Sequence, residues 1–278
     1  MIIRNAGVSS ARIPIIGEVT MINSEHNEKN EKKNSHEGHR LRLRERYKRS
    51  GLSDFADHEI LELLLTYAIP RVNVNDQAHA LVRRFGSVSA VLDAPKEDLM
   101  EVDGIGPEAA QFLKMLPEVF RSYTLSKIDT RKPFDTLSKL GEYLHALYVG
   151  VTVERVYLIL LDNSLRMIEC IHLGDGAVNC SSVTVRCIAE HALRKNASSA
   201  VLAHNHPKGL AIPSGADHTV TQTVESALET IGVPLLEHII VTENSYAPIL
   251  RHLKGLLRSS PTSGEIDKEF YRRFYGES

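Results

Sequence analysis

Three residues that lie close together in the sequence are of the types that bind a metal ion. His204 and His206 are separated by one residue, and Asp217 follows them in the segment HNHPKGLAIPSGAD. Two imidazoles and one carboxylate supply three protein ligands, and a catalytic zinc site keeps its fourth position open for water. The spacing H-x-H-x7-S-x2-D therefore predicts one hydrolytic zinc site in each chain.

The predicted elements on both sides of this segment can bring the three ligands together. The apolar run SAVLA leads into His204 and predicts a buried strand, in which residues two positions apart face the same side. Pro207 and Gly209 end that strand. Ser214 is then well placed to cap a helix that carries Asp217 in its first turn. The alternative is that Ser214 and Asp217 form a capping box and that the histidines are a polar pair in a turn. All four residues at one spacing, directly after a buried strand, favour the metal site.

The region that precedes these elements predicts a small all-helical domain over residues 38–125. The segments DHEILELLLTYAI and DQAHALVRRFGS have helical periodicity, and KEDLMEVDGIGPEAAQFLKMLPEVF predicts two helices joined by a Gly-x-Gly turn. We expect residues 1–37 to be a disordered extension, because residues 23–38 contain no large apolar residue. Residues 126–133 are polar and end in proline, which is typical of a linker.

Residues 134–257 predict a second domain of the α/β (α+β) class. The segments ERVYLILLD and RMIECIHLG form a predicted strand pair around the turn Asn163-Ser164, and SAVLAHNH and LLEHIIVTEN are further strands. The segments LSKLGEYLHAL, VTVRCIAEHALRKN and DHTVTQTVESALETIG are predicted helices. This alternation indicates a sheet sandwiched by helices. We expect residues 258–278 to be a polar C-terminal tail.

The composition limits the class of protein. The 278 residues are 42% apolar and 24% charged, which is ordinary for a globular chain. The net charge of −2 creates no overall field that would draw the chain onto nucleic acid. Cys170, Cys180 and Cys187 lack C-x-x-C spacing and are too few for a disulfide scaffold, so we expect a cytoplasmic protein. No apolar run reaches the roughly 18 residues of a membrane span, so no membrane partner is expected.

Two regions of the chain resemble one known family. The segment HNHPKGLAIPSGAD resembles the metal-binding signature of the JAB/MPN (JAMM) metalloproteases, and its form HNHP-x-G-x-x-x-PS-x-x-D is similar to the bacterial RadC branch. The module from HRLRLRERY through VDGIGPEAAQFLK is similar to the RadC N-terminal helix-hairpin-helix region. Together these resemblances cover residues 38–257. They imply a JAB/MPN-type mixed sheet between helices, preceded by a small helical domain.

The resemblance also implies a role for each residue of the site. Zinc would be bound by His204, His206 and Asp217, and Ser214 would help to hold the oxyanion. A catalytic glutamate is implied just before the strand that follows the first helix of the domain, and Glu154 in VERVYLILLD matches that position. By pattern alone, Glu154 is an exposed residue at the start of a strand.

A carboxylate beside zinc-activated water has a defined chemical task, because it accepts the proton of the water and passes it to the leaving amine. The resemblance therefore implies a zinc metallopeptidase whose substrate is a protein with a peptide or isopeptide bond to cleave. Another possibility is a pure interaction module, since many MPN-type domains lack the metal ligands. The intact ligand set argues against that interpretation here.

The sequence departs from the family pattern at two places. Lys208 follows HNHP where this branch usually has serine, and Cys187 stands where the branch commonly has the glutamate of H-P-R-E. Both residues lie outside the ligand set, so we expect zinc binding to persist and the substrate preference to differ. We interpret Cys187 as a small helix residue that packs in the interior.

A second hypothesis comes from a different class, a DNA-associated repair or recombination accessory protein that binds nucleic acid without sequence specificity. Its electrostatic candidates are clustered arginines that can contact phosphates and release counterions: Arg40, Arg42, Arg44 and Arg46. The backbone N–H groups near Gly104 and Gly106 could also hold a phosphate at a helix N-terminus. Pro107 removes one of these donors and Glu108 adds a negative charge. The alternative interpretations are a solvated helix face or a docking site for an acidic protein for the arginines, and a protein-packing hairpin for the glycine turn.

Overall fold

The computed structural model describes residues 38–70, 72–176 and 185–250. The described residues form two compact units, divided between Leu113 and Lys114. The predicted extension over residues 1–37, the predicted tail over residues 258–278 and Cys180 lie outside the described residues. Within the described residues, no helix combines the length and the apolar character that crossing a bilayer requires.

The first unit is helical, as the sequence predicts. Its elements are α1 (residues 38–50), α2 (Asp57–Ala68), α3 (Asn75–Phe85), α4 (Val88–Asp93), α5 (Lys96–Met100) and the first part of α6 (Pro107–Ser126). Gly86 ends α3 with a φ of 97°, a left-handed conformation that glycine adopts without strain. Gly104, between α5 and α6, has a φ of 81°. A Cβ atom on Gly104 would lie 2.5 Å from Nε2 of Gln77, so the turn packs closely against α3.

The second unit is a five-stranded sheet with helices on both faces, which confirms the predicted α+β class. Its elements are α7 (Leu137–Tyr148), β1 (Arg155–Leu161), β2 (Met167–Asp175), α8 (Val185–Arg194), β3 (Ser199–Asn205), α9 (Gly215–Thr230), β4 (Leu235–Val241) and β5 (Tyr246–Pro248). The strand order is β2-β1-β3-β4-β5. Strand β5, which is only three residues long, was not predicted from the sequence.

The core of this unit forms two layers, one on each face of the sheet. On one face, Leu140 and Leu144 of α7 pack against strand residues that include Val201. On the other face, Ile188 of α8 and Val224 of α9 pack against a layer that includes Leu202. His204 follows Leu202 by two positions along β3, so it faces the layer of α8 and α9.

The strand register explains why residues distant in sequence meet at one edge of the sheet. Strand β1 pairs antiparallel with β3, and Val156 lies opposite His204. Strand β3 pairs parallel with β4, and Asn205 lies opposite Val241. The start of β1 therefore lies beside the ends of β3 and β4.

Candidate metal centre

The end of β3 places two histidines at this edge. His204 is buried, with 1% of its surface exposed, and His206 is half-buried just beyond the strand. The backbone N–H of His206 donates to the carbonyl of Val241 at 2.8 Å, so the hydrogen bonding of β3 with β4 continues as far as the second histidine. Because the residue between them points to the opposite side, both imidazoles face the same space.

The first turn of α9 places the carboxylate. Ser214 is the N-cap residue, and its Oγ accepts a hydrogen bond from the N–H of Asp217 at 3.2 Å. In return, the N–H and the Oγ of Ser214 donate to Oδ2 of Asp217 at 2.8 and 2.6 Å. The capping box that the sequence left as an alternative to the metal site is therefore present. The two interpretations are compatible, because the cap holds Oδ2 and leaves Oδ1 directed at His204.

The three predicted ligands converge. Nε2 of His204 lies 3.1 Å from Nε2 of His206 and 3.3 Å from Oδ1 of Asp217, and His206 Nε2 lies 4.0 Å from Asp217 Oδ2. One ligand atom from each residue can be chosen so that all three lie within 4.8 Å of one another. Two ligands that bind a tetrahedral zinc at 2.0–2.1 Å are about 3.3 Å apart. The two distances from Nε2 of His204 match that requirement, and the distance between His206 and Asp217 is longer.

The protonation of the cluster also suits a cation. Nδ1 of His206 lies 3.0 Å from the carbonyl oxygen of Leu210, which can only accept, so Nδ1 is the donor, and in a neutral ring this leaves the lone pair on Nε2. Burial lowers the pKa of His204 from 6.5 to about 4, against the opposing effect of Asp217. Neutral imidazoles beside a carboxylate are the forms in which these groups bind a metal, and this donor set is one that zinc accepts.

Glu154 lies where the resemblance implied a catalytic base. It directly precedes β1 and is half-buried. Together with all three predicted ligands and Ser214, it lines a cleft of about 600 Å³. The structure therefore brings the predicted base and the predicted ligands to one cleft, although fifty residues separate Glu154 from His204.

Asn205, between the two histidines, holds the segment that carries Glu154. Its Nδ2 donates to the carbonyls of Val153 at 3.0 Å and Val151 at 3.4 Å, and its Oδ1 accepts from the N–H of Arg155 at 2.8 Å. These bonds fix the backbone on both sides of the glutamate. A role for Asn205 was not predicted from the sequence, although a polar residue at the end of a fully buried strand was a usable signal.

A second layer of polar residues lies behind His204. Nδ1 of His204 is 2.8 Å from Nε2 of His238 on β4, and Nδ1 of His238 is 2.6 Å from the hydroxyl of Thr221 on α9. His238 and Thr221 are fully buried. Neither residue was predicted from the sequence to belong to the site. The available signal was that His238 and Glu237 are the two polar residues of the mostly apolar strand LLEHIIV. Such residues are seldom fully buried without a partner.

The two departures from the family pattern have different surroundings. Lys208 is exposed and lines the cleft, so its cation is available to a substrate. Cys187 is half-buried on α8, near the buried Ile188. The expectation that Cys187 packs in the interior is met in part.

The structure places most of the predicted arginine cluster in contacts within the helical unit. Arg46 donates to both carboxylate oxygens of Glu59, at 2.8 and 2.5 Å, and its guanidinium lies 3.9 Å from the centre of the Phe55 ring. Arg40 and Arg44 both donate to the carbonyl of Thr66. Arg42 is exposed.

The Gly-x-Gly turn lies in the same unit. Gly104 and Gly106 are exposed, whereas Ile105 between them is buried with 3% exposure. Pro107 is the first residue of α6, the position that tolerates proline best. The turn thus has a packing role through Ile105.

Both units match family models. Residues 134–254 match the model described as a RadC-like JAB domain, and residues 36–111 match the model described as UPF0758 N-terminal. A UPF0758 protein of Fusobacterium nucleatum is 37% identical over 228 residues, which cover 80% of this chain and 97% of that protein.

Two further relatives have the same kind of name. A UPF0758 protein of Ruegeria pomeroyi is 34% identical over 203 residues, or 73% of this chain and 91% of the relative. A UPF0758 protein of Methylibium petroleiphilum is 34% identical over 217 residues, which cover 78% of this chain and 97% of that protein. These names state no activity, so the similarity identifies the domains and leaves the chemistry to the site.

Proposed function

The chain belongs to the family that joins a UPF0758 N-terminal domain to a RadC-like JAB domain, and from this premise we propose a zinc-dependent hydrolase of the JAMM type that cleaves a peptide or isopeptide bond. One observation carries the proposal. The ligand atoms of His204, His206 and Asp217 converge in a cleft that the carboxylate of Glu154, from the segment just before β1, also lines.

Zinc, when bound, supplies a Lewis acid that lowers the pKa of water toward about 7. Glu154 then acts as the general base and acid: its carboxylate takes a proton from the attacking water and delivers it to the leaving amine. Asn205 supports this step, because its three hydrogen bonds keep the backbone around Glu154 in place. His204, His206 and Asp217 hold the cation.

Ser214 has two tasks in the proposal. Its hydroxyl donates to Asp217 and keeps that carboxylate oriented, as the structure has it. Its side chain also lines the cleft, so the hydroxyl can turn to the carbonyl oxygen of a substrate while the Ser214 N–H keeps its bond to Asp217. A donor aimed at the developing oxyanion is a strong catalytic contribution.

The proposal is tested on the full chain with elemental analysis and a substrate panel. We expect about one zinc per chain, and turnover of quenched peptides or of lysine-linked isopeptides that chelator abolishes and zinc restores. Glu154→Gln should keep its zinc and lose roughly 10²–10⁴-fold in turnover, the range for a general base. Glu142→Gln, an exposed site on α7, is the matched control. Full activity of Glu154→Gln would rule out this mechanism.

Non-specific DNA binding has weaker support. Arg40, Arg44 and Arg46 already donate to acceptors of their own unit, and phosphate contacts would have to replace those bonds. Titration of duplex DNA across a salt series tests this alternative. Each phosphate contact makes the slope of the logarithm of the binding constant against the logarithm of the salt concentration more negative by roughly 0.9.

A further inference from the structure

The polar residues behind His204 form a continuous chain of hydrogen bonds that begins and ends at two of the ligands. The chain runs from the ring of His204 to His238, then to Thr221, and from the Thr221 hydroxyl to the backbone carbonyl of Asp217 at 2.5 Å. We propose that His238 and Thr221 are positioning residues that fix His204 in the tautomer whose Nε2 lone pair faces the metal. The inference rests on the metal site of the proposed function.

The number of available protons decides which atom donates in each of these hydrogen bonds. The carbonyl oxygen of Asp217 can only accept, so the single hydroxyl proton of Thr221 lies between them. Nδ1 of His238 therefore donates to Thr221 Oγ1. A second proton on His238 would place a positive charge on a ring with no exposed surface, which desolvation disfavours.

The remaining bond is then determined as well. With its proton on Nδ1, a neutral His238 has a lone pair on Nε2, so the proton between the two rings belongs to Nδ1 of His204. Nε2 of His204 is left as an acceptor toward His206 and Asp217. A metal-binding histidine commonly has its other ring N–H held in this manner, usually by a carboxylate or a carbonyl; here a second histidine takes that place.

Removal of the Thr221 hydroxyl should reverse both tautomers. In Thr221→Val, Nδ1 of His238 loses its acceptor, so His238 gains by placing its proton on Nε2 and donating it to His204. His204 then carries its own proton on Nε2, where Oδ1 of Asp217 at 3.3 Å accepts it. Metal binding must displace that proton, so zinc affinity falls by roughly 10–100-fold.

The experiment measures the tautomer and the affinity separately. In metal-free, ¹⁵N-histidine-labelled full-length protein, long-range ¹H–¹⁵N spectra report which ring nitrogen carries the proton. We expect His204 to be protonated on Nδ1 in the wild type and in Thr221→Ser, and on Nε2 in Thr221→Val. Zinc affinity, from competition with a chelator, should fall by this factor in Thr221→Val and stay near the wild-type value in Thr221→Ser.

Thr223→Val is the matched control, because Thr223 makes the same hydrogen bond to the carbonyl four residues earlier on an exposed part of α9. Protonation of His204 on Nε2 in the wild type would overturn the proposal, as would a folded Thr221→Val that keeps the wild-type tautomer and affinity. The spectra are recorded on metal-free protein and do not depend on catalytic activity. The tautomer of His204 is therefore tested even if the protein has no hydrolase activity.

Discussion

The arginine cluster of the helical unit and the histidine cluster of the sheet unit are both groups of polar side chains, yet their hydrogen bonding differs. In the helical unit, donors meet acceptors: the guanidinium of Arg46 faces the carboxylate of Glu59. At the sheet edge, in the tautomers proposed above, the lone pairs on Nε2 of His204 and Nε2 of His206 converge with Oδ1 of Asp217, while Oδ2 accepts from Ser214.

The difference separates a cluster whose groups satisfy one another from one whose groups can hold a metal ion. A guanidinium and a carboxylate satisfy each other and stabilise the fold, so nothing further has to bind. Converging lone pairs repel one another unless a cation lies between them, and desolvation at a buried edge increases that repulsion. The count of donors and acceptors therefore favours a ligand site at the sheet edge over one at the arginines.

The largest expected effect is the loss of a ligand. Asp217→Asn removes a negative charge from the acceptor cluster and should lower zinc affinity by two orders of magnitude or more. The binding free energy of zinc at a four-ligand site is about 10–16 kcal/mol, or roughly 3 kcal/mol per ligand, which corresponds to a loss of this size. Competition with a chelator measures it. The counterpart in the helical unit is Glu59→Gln, which should leave zinc affinity unchanged. Equal affinity in both variants would remove the distinction between the clusters.

The next effect concerns the position of the base. Asn205→Ala removes the three bonds that hold the segment around Glu154, and a displacement of about 1 Å can cost roughly 10²-fold in rate. We expect turnover to fall 10- to 100-fold while zinc content is kept. Asn75→Ala is the control, because this amide holds Glu62 in the helical unit. Turnover that falls equally in both variants would point to general destabilisation.

A smaller effect is expected at the N-cap of α9. Ser214→Ala removes a cap that contributes about 1 kcal/mol to stability and also a donor to Asp217, so zinc affinity should fall roughly 10-fold, as for the loss of a supporting hydrogen bond. Thr136→Ala removes the equivalent cap from α7, where the hydroxyl accepts from the N–H of Lys139. Only the first variant should weaken zinc binding; a loss in both would mean that the cap acts through stability alone.

The smallest effect is that of the Arg46–Glu59 pair. The hydrogen bond that Glu59 accepts from Arg46 lowers the pKa of Glu59 from 4.5 to about 2. A lowered carboxyl pKa stabilises the folded state above the unfolded value, and this contribution disappears as the pH falls from about 4.5 through about 2. Arg46→Met should therefore reduce the free energy of unfolding by about 1 kcal/mol at pH 7, given the partial exposure of the pair.

Urea unfolding at pH 7 and pH 3 measures this difference, which should be smaller at pH 3. A difference that is constant with pH would show that Arg46 acts through its packing on Phe55 instead of through its charge. Duplex binding of the same variant sharpens the comparison, because an arginine already paired with Glu59 should contribute little to DNA affinity.

Much of the fold could be predicted because its signals are local. The helical periodicity of DHEILELLLTYA predicted α2, and the apolar run before His204 predicted the buried strand β3. The convergence of the three candidate ligands could be predicted for the same reason, since β3, a turn and the start of α9 lie consecutively in the chain. Strand β5 was missed because three residues carry too little periodicity to be recognised.

The residues that only the tertiary structure revealed depend on pairing between distant segments. The resemblance implied Glu154, but the antiparallel register of β1 with β3 is what brings it to the cleft. His238 reaches His204 because β4 lies beside β3 in the sheet. Such contacts are set by strand order and register, which no local pattern encodes.

The sequence by itself determined the types of ligand, their spacing along the chain and the elements that carry them, because periodicity, turns and caps act over a few residues. The tertiary structure decided which partners the side chains of each polar cluster meet. It showed the arginines paired within their own unit, and it showed His204 connected through His238 and Thr221 to Asp217. The physical reason is that the direction of a hydrogen bond depends on which groups face each other in space, and only folding brings those groups together.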